Sequence, residues 1–360
     1  MRELNVAILG AGNIGSTIHD LLVIHGHPDY KINSDLYDKE PKHGAAVVDI
    51  DLDNLDLVYY IVKDHDVIIS ALPYNMNDKI TSVVASEAGK LYFDLTEDIR
   101  VGKRTRDLNR YNPAFDDKDG DRPLFFPHCG LAPGIVGNIA YTLASHFDEL
   151  KDVKIRVGAL TPGASNMLRY NRTWSTNGLV NEYIKRGQAI VHGNIVETES
   201  LTGLESVIVN GIEYEAFNTS GGMANVLDAF MEMGSTTMNT NVNYKTLRYP
   251  GHCHLMKFLL KDLDLHEHDV VRLLDEHVPS APIDVVVILV EVSGWKNNNL
   301  TSEVYSKCVF MGNSPFTAIQ MTTASGVLLE MFYRLKQRDW TSIAKIDDIG
   351  YGPFWDAYAV

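Results

Sequence analysis

Val6 to Leu9 runs straight into Gly10-Ala11-Gly12-Asn13-Ile14-Gly15, and a stretch with helical apolar spacing follows. No other feature constrains the fold of this chain as strongly. A strand, a G-x-G-x-x-G turn and a helix, in that order, are what a dinucleotide-binding βαβ unit requires. Gly10 permits the tight turn, Gly12 has no Cβ to obstruct a pyrophosphate, and Gly15 lets helix and strand pack closely. The helix N-terminus adds free N–H groups and a partial positive charge. Gly10, Gly12, Asn13, Ile14 and Gly15 are therefore the expected contacts to the phosphates. Ile18, Leu21, Leu22 and Ile24 supply the expected buried helix face, and Ser34-Asp35 reads as the end of the second strand.

Asp35 lies 25 residues beyond Gly10, where a carboxylate accepts hydrogen bonds from an adenosine ribose and repels a 2′-phosphate. NAD is thus expected over NADP. A turn-capping role for Asp35 stays open, as does phosphate tolerance from the nearby Lys39 and Lys42. A further apolar strand, Val67 to Leu72, ends at Pro73. Ligands of open parallel sheets lie beyond the carboxyl ends of the strands, so Ala71, Leu72 and Pro73 are expected to border the cofactor. Ile80 to Ala88 reads as a helix and Leu91 to Leu95 as a strand.

The chain has 360 residues and a formal charge of -15. That length accommodates two cores, and that charge speaks against a nucleic-acid partner, which calls for a basic surface. The apolar run Val285 to Val290 is too short for a membrane span and reads as a buried strand. Cys129, Cys253 and Cys308 have no metal-binding or redox spacing. With a strand beginning almost at once, a cytoplasmic protein without a signal peptide is expected. Asp116, Asp117, Asp119 and Asp121 around Gly120 resemble part of a calcium loop, but the downstream glutamate is missing and Arg122-Pro123 intervenes. No metal is expected.

The pattern predicts an α/β chain: an N-terminal Rossmann, doubly wound parallel sheet (1–128) and a second α+β substrate and dimerisation domain (129–315). A C-terminal helix and tail (316–360) are expected to return to the nucleotide domain. Strand-like pieces at Val153 to Leu160, Ser206 to Val209, Val285 to Val292 and Val304 to Met311 set the second domain apart. Polar segments cluster there. Arg169, Tyr170, Arg172 and Trp174 suit a carboxylate clamp or a solvated strand edge. Thr219-Ser220-Gly221-Gly222 suits a close backbone approach to a ligand, or an ordinary loop. In Tyr244 to His252, an extended segment puts Lys245 on one face and Tyr244, Thr246 and Arg248 on the other. Lys245 and His252 are the nearby groups suited to proton transfer, a lysine needing a depressed pKa for it.

Together these segments resemble the saccharopine dehydrogenase-like family, and within it the lysine 6-dehydrogenases. The resemblance rests on Gly10-Ala11-Gly12, Gly130-Leu131-Ala132-Pro133-Gly134, Leu168-Arg169-Tyr170-Asn171, Gly178-Leu179, Glu215-Ala216-Phe217 with Thr219 to Gly222, and Tyr244-Lys245-Thr246 with Arg248-Tyr249 and Gly251-His252. It implies a homodimer with a nicotinamide cofactor, acting on a small amino acid or amine. For the lysine enzymes it implies oxidative deamination of the terminal amine. On this reading Arg169 and Arg248 hold a substrate carboxylate, while Tyr170, Thr219 and Ser220 orient the substrate. Lys245 or His252 is the general acid/base, and Asp94 partners the ammonium. The chain departs from the family in carrying His128-Cys129 where an acidic residue is expected, and in a longer Met223 to Thr240 stretch. Two other readings stay open: a reductase of the saccharopine or carboxynorspermidine kind forming a secondary amine with NAD(P)H, and a non-catalytic NAD-binding sensor.

Overall fold

Near-continuous apolar strands separated by amphipathic helices build the first of two units in the computed structural model, which describes residues 1–39, 47–115, 121–312, 314–339 and 341–349. Lys42, Asp116, Asp117, Asp119 and Gly120 lie outside the described residues. The first unit comprises Met1–Ile135 and Thr323–Ala344, and the second centres on Val136–Thr322.

In the first unit the elements are β1 (Arg2–Leu9), α1 (Asn13–His25), β2 (Tyr30–Asp38), β3 (Val47–Asp49), α2 (Leu55–Asp64), β4 (Val67–Ser70), α3 (Asn77–Val84), β5 (Leu91–Asp94), α4 (Ile99–Arg110) and β6 (Leu124–Phe126). The six strands form one parallel sheet in the order β3-β2-β1-β4-β5-β6. Helices on both faces explain why β4 and β5 are buried at every position.

Two details differ from expectation. Ile18, Leu21 and Leu22 are buried, but Ile24 is 62% exposed. Six residues beyond Ile18, it has turned away from the sheet at the helical period. Strand β2 also does not end at Asp35. Leu36 and Tyr37 are buried and pair with Ile8 and Leu9, so the strand runs on to Asp38.

The second unit holds α5 (Ile135–Ala144), β7 (Glu149–Leu160), α6 (Thr176–Ile184), β8 (Gly187–Val191), β9 (Asn194–Thr198), β10 (Glu205–Val209), β11 (Ile212–Phe217), α7 (Leu227–Glu232), β12 (Asn241–Arg248), α8 (His252–Lys257), α9 (Glu267–His277), β13 (Val285–Lys296), β14 (Asn299–Phe310) and the start of α10 (Ala318–Lys336). Its mixed eight-stranded sheet has the path β10-β11-β12-β7-β13-β14, with β8 pairing β12 and β9. Asn210-Gly211 closes the hairpin of β10 and β11 with φ of 50° and 79°, the left-handed pair that a two-residue turn needs. Tyr170, Leu179, Val180, Tyr183 and Phe217 share a core with Cys253, Met256, Val270 and Leu274. That core packs α6, α8 and α9 against the sheet and fixes the start of α8.

The unit boundaries also shift from those expected. The Gly130–Gly134 turn belongs with the first unit because Cys129 N–H bonds the Asp94 carbonyl (2.8 Å) and Gly326 of α10 packs on Gly130. A Cβ at Gly326 would lie 2.5 Å from the Gly130 oxygen. His27 stacks on Phe332 at 4.4 Å, and the Arg334 guanidinium lies 4.8 Å from the Phe126 ring centre.

Among the described residues no helix is long and apolar enough to cross a membrane, and no group of His, Cys, Asp and Glu is placed to hold a metal.

Asp284 is 2% exposed and accepts from Ala318 N (2.5 Å) and Ile319 N (3.0 Å), satisfying free donors at the start of α10. Asp284→Ala is expected to destabilise the second unit by about 1–2 kcal/mol, read as a lower urea midpoint. Asp284→Asn should recover most of the loss.

Candidate active site

The nucleotide-binding half is built at the carboxyl ends of β1, β2 and β4. Gly10 adopts φ 102°, and a Cβ there would lie 2.9 Å from the Ala71 oxygen. At Gly15 a Cβ would lie 1.8 Å from the Gly10 oxygen. Packing within the protein thus demands both glycines. Gly12 is different: a Cβ there meets nothing within 4 Å. The fold leaves open space over the turn, as a pyrophosphate lying against the backbone requires. The first N–H groups of α1, on Asn13, Ile14 and Gly15, have no intrahelical acceptor, and no acidic residue stands in the first turn. These residues fit an anionic dinucleotide. Ala71 and Leu72 meet the turn at Gly10, and Pro73 opens the short 3₁₀ turn Tyr74–Met76.

Asp35 and Asp38 part company here. Asp35 lies within β2 opposite Ala7, its carboxylate 3.0 Å from His65 Nε2. Asp38 ends the strand and accepts from Ala11 N–H at 2.7 Å. The carboxylate that reaches the glycine turn is therefore Asp38, missed in the sequence because β2 runs three residues longer than its composition suggests.

Asp94 ends β5 and is fully buried. One oxygen accepts from Thr96 N (3.0 Å) and His128 N (3.2 Å), while the other, like the Tyr92 hydroxyl, is buried without a hydrogen bond of good geometry. Burial pushes its pKa up to about 6. A carboxylate so enclosed ties together the loops after β5 and β6. His128, with φ 63°, has its Nδ1 2.6 Å from the Thr96 carbonyl, and its ring fills the space a side chain at Gly102 would take. Burial holds its pKa down near 4.

A separate polar cluster lies in the other unit, around the end of β12. Arg248 is 3% exposed. Its Nε donates to the Tyr183 hydroxyl (2.9 Å) and its Nη1 to the Leu247 carbonyl (3.0 Å), while Tyr170 places its ring 5.5 Å from the guanidinium carbon. Among the described residues no carboxylate lies within ion-pair distance of this buried cation; Glu182 acts on it only from farther away. Buried charges are normally paired. His252, 1% exposed, has Nε2 3.0 Å from the Tyr183 hydroxyl and Nδ1 3.0 Å from the Leu168 carbonyl. Burial and the nearby Arg248 depress its pKa to about 3, so it is neutral at ordinary pH. With both nitrogens engaged and little proton affinity, His252 is poorly suited to the expected acid/base role. Glu215 fixes the ring's backbone by accepting from Gly251 N (2.8 Å) and Cys253 N (2.5 Å) at the start of α8.

The other expected residues divide. Thr219 is buried and its hydroxyl meets that of Thr246 at 2.8 Å, while Ser220 is buried with its N–H on the Glu182 carbonyl (3.1 Å). Tyr170 is buried, its hydroxyl against Thr173 without a hydrogen bond of good geometry. Arg169 sits exposed on a turn with φ 47°, away from the burial that marks Arg248. Lys245 leaves the cluster because strand alternation turns it to the opposite face of β12 from Thr246 and Arg248. It is held there by Glu205 (2.7 Å) and the Gly203 carbonyl (2.6 Å), and Arg156 shares Glu205 at 2.5 Å. Tyr183 was not anticipated; its signal is a tyrosine on the inward stripe of α6, with Leu179 and Val180.

The family model described as the saccharopine dehydrogenase C-terminal domain matches residues 130–338. Among solved structures, the chain is similar to a saccharopine dehydrogenase (L-Glu forming) from Saccharomyces cerevisiae. That likeness has a TM-score of 0.67 at 14% identity and covers 96% of this chain and 95% of that one. It is also similar to a homospermidine synthase from Legionella pneumophila in complex with NAD, with a TM-score of 0.59 at 13% identity over 92% and 84% of the two chains. At these identities the likenesses speak to the fold.

Asp94 gives stability a pH dependence of defined sign. Its folded pKa, about 6, stands above the ordinary carboxyl value of 3.8, so the folded state carries the full cost of the buried carboxylate above pH 6. That cost is relieved as pH falls toward 4. Asp94→Asn should therefore raise stability at pH 7.5 by at most about 3 kcal/mol, with the gain shrinking between pH 6 and pH 4. A difference constant across that range in urea melts would contradict the assignment.

Proposed function

The chain belongs to the saccharopine dehydrogenase-like family, and from that premise we propose that it is an NAD-dependent oxidoreductase acting on the CH–NH2 or CH–NH group of an amino acid. The observation that carries this reading is Arg248, a guanidinium buried without a carboxylate partner among the described residues. A substrate carboxylate supplies the missing counter-charge, and charge-assisted hydrogen bonds to it are strong when water is excluded. The buried hydroxyls of Tyr170 and Thr219 belong to the same unit and suit a polar substrate. A protein that only sensed NAD would have no use for this second polar centre.

The open space over Gly12 and the free N–H groups of α1 support a dinucleotide, with Asp38 at the β2 terminus as its ribose acceptor. Its negative charge disfavours a 2′-phosphate, which is the argument for NAD over NADP. A bound nicotinamide would supply the hydride acceptor for the carbon bearing nitrogen, with the amine proton passing to solvent and water releasing aldehyde and ammonia. The chain's own contribution is recognition. The N-terminus of α1 holds the pyrophosphate, and Arg248 anchors the far end of a flexible substrate, which lowers the entropic cost of orienting it. The family resemblance makes the terminal amine of L-lysine the first substrate to consider.

The test is NADH formation by purified protein supplied with NAD and L-lysine, ornithine, diamines or saccharopine. Turnover of lysine is expected, and Arg248→Met should raise its KM at least tenfold. Silence with every amine despite tight NAD binding would sink the reading. On cofactor choice, Asp38→Ser should narrow the preference for NAD over NADP by about tenfold or more, whereas Asp35→Asn should leave it in place. The reverse outcome would return the ribose role to Asp35.

A further inference from the structure

We infer that Tyr183 and His252 are positioning residues: a single-direction hydrogen-bond relay through them aims the Arg248 guanidinium at the substrate's carboxylate. This rests on the reading of Arg248 given above.

The relay follows from proton counting. An arginine Nε only donates, so at 2.9 Å the Tyr183 oxygen accepts from it. The Tyr183 proton is then free for His252 Nε2, 3.0 Å away. The Leu168 carbonyl, 3.0 Å from Nδ1, only accepts, so the neutral ring's one proton sits on Nδ1 and Nε2 is bare. Every donor along Arg248, Tyr183, His252 and Leu168 thus has one acceptor, and the reversed order is impossible because guanidinium cannot accept. Protonation of His252 would break the relay at Nε2 and set a second positive charge beside Arg248.

The surroundings keep the ring neutral. His252 is faced by Arg248 from β12, Tyr183 from α6, Phe217 from β11 stacked at 6.5 Å, and Tyr170 edge-on at 5.5 Å. The carboxylates on these elements are engaged elsewhere: Glu215 of β11 accepts from Gly251 and Cys253 N–H, and Glu182 of α6 acts on Arg248 and Tyr183. With Nε held by Tyr183 and Nη1 by backbone carbonyls, Nη2 has no partner among the described residues. Tyr170 packs its ring against the guanidinium while its hydroxyl stands against Thr173, which leaves Nη2 as the donor for a carboxylate.

Two readouts test this. The first is the affinity of the NADH-loaded protein, which cannot turn the amine over, by calorimetry, for L-lysine relative to 1,5-diaminopentane, the same amine without its carboxylate. Tyr183→Phe and His252→Leu should each cut the preference for lysine at least tenfold, with kcat at saturating lysine falling less than KM rises. His252→Gln, which restores an acceptor near Nε2, should regain most of the preference. The second is the ¹⁵N spectrum of histidine-labelled wild-type protein, where His252 should remain the neutral Nδ1–H tautomer down to pH 5. An unchanged lysine preference in Tyr183→Phe, an Nε2–H tautomer, or titration of His252 near pH 6.5 would each overturn the relay. If the wild type binds neither amine, the lysine reading fails, and the spectrum still decides the relay on its own.

Discussion

A guanidinium has been taken out of water in the second unit with no carboxylate among the described residues at ion-pair distance, and much of that unit's architecture serves to make this tolerable. Moving such an ion out of water costs several kcal/mol even after relaxation. Arg248 offsets the cost with the Tyr183 hydroxyl, the Leu247 carbonyl and the face of Tyr170. Each partner comes from a different segment: α6, β12 and the turn before α6. The Glu215 carboxylate on β11 fixes the start of α8 and so the place of His252. Removing one member leaves the others with unsatisfied donors, which is why the cluster acts as a unit.

The first unit follows the opposite logic. Its turn carries no charge, and its specificity is steric. Gly10 and Gly15 are glycine because protein atoms stand where a side chain would go, whereas Gly12 is glycine although nothing stands there. That contrast separates a packing requirement from a ligand requirement within six residues. The sequence motif alone does not make the distinction.

What the sequence made legible is what local periodicity encodes. The strand-turn-helix at the N-terminus, the buried strands of the parallel sheet and the apolar stripe of Ile18, Leu21 and Leu22 follow from spacing that the folded chain respects. Strand alternation likewise separated Lys245 from Thr246 and Arg248. What spacing does not encode is where an element stops and what lies across from it. The sequence points to Asp35 because the polar Ser34-Asp35 pair looks like a strand terminus; pairing of Leu36 and Tyr37 with β1 carries the strand past it to Asp38. Tyr183 and Glu215 act on His252 from positions 69 and 37 residues away in the chain, and no local pattern announces such contacts.

The proton-transfer roles suggested by residue type fare differently from the binding roles, and the reason is electrostatic in each case. Lys245 is bound by Glu205, whose own charge is stabilised by Arg156 as well. His252 stands beside Arg248 in a buried setting that disfavours a second positive charge. Asp94 is enclosed completely and spends its accessible lone pairs on backbone N–H groups. A general base needs both proton affinity near the working pH and reach to the proton it removes. Lys245 and Asp94 are tied into contacts within the protein and His252 is held neutral, so all three serve as scaffold in this structure. A terminal ammonium bound by such a scaffold would have to lose its proton by another route before its carbon could give up hydride, and activity in an enzyme of this design should rise with the deprotonated fraction of the amine.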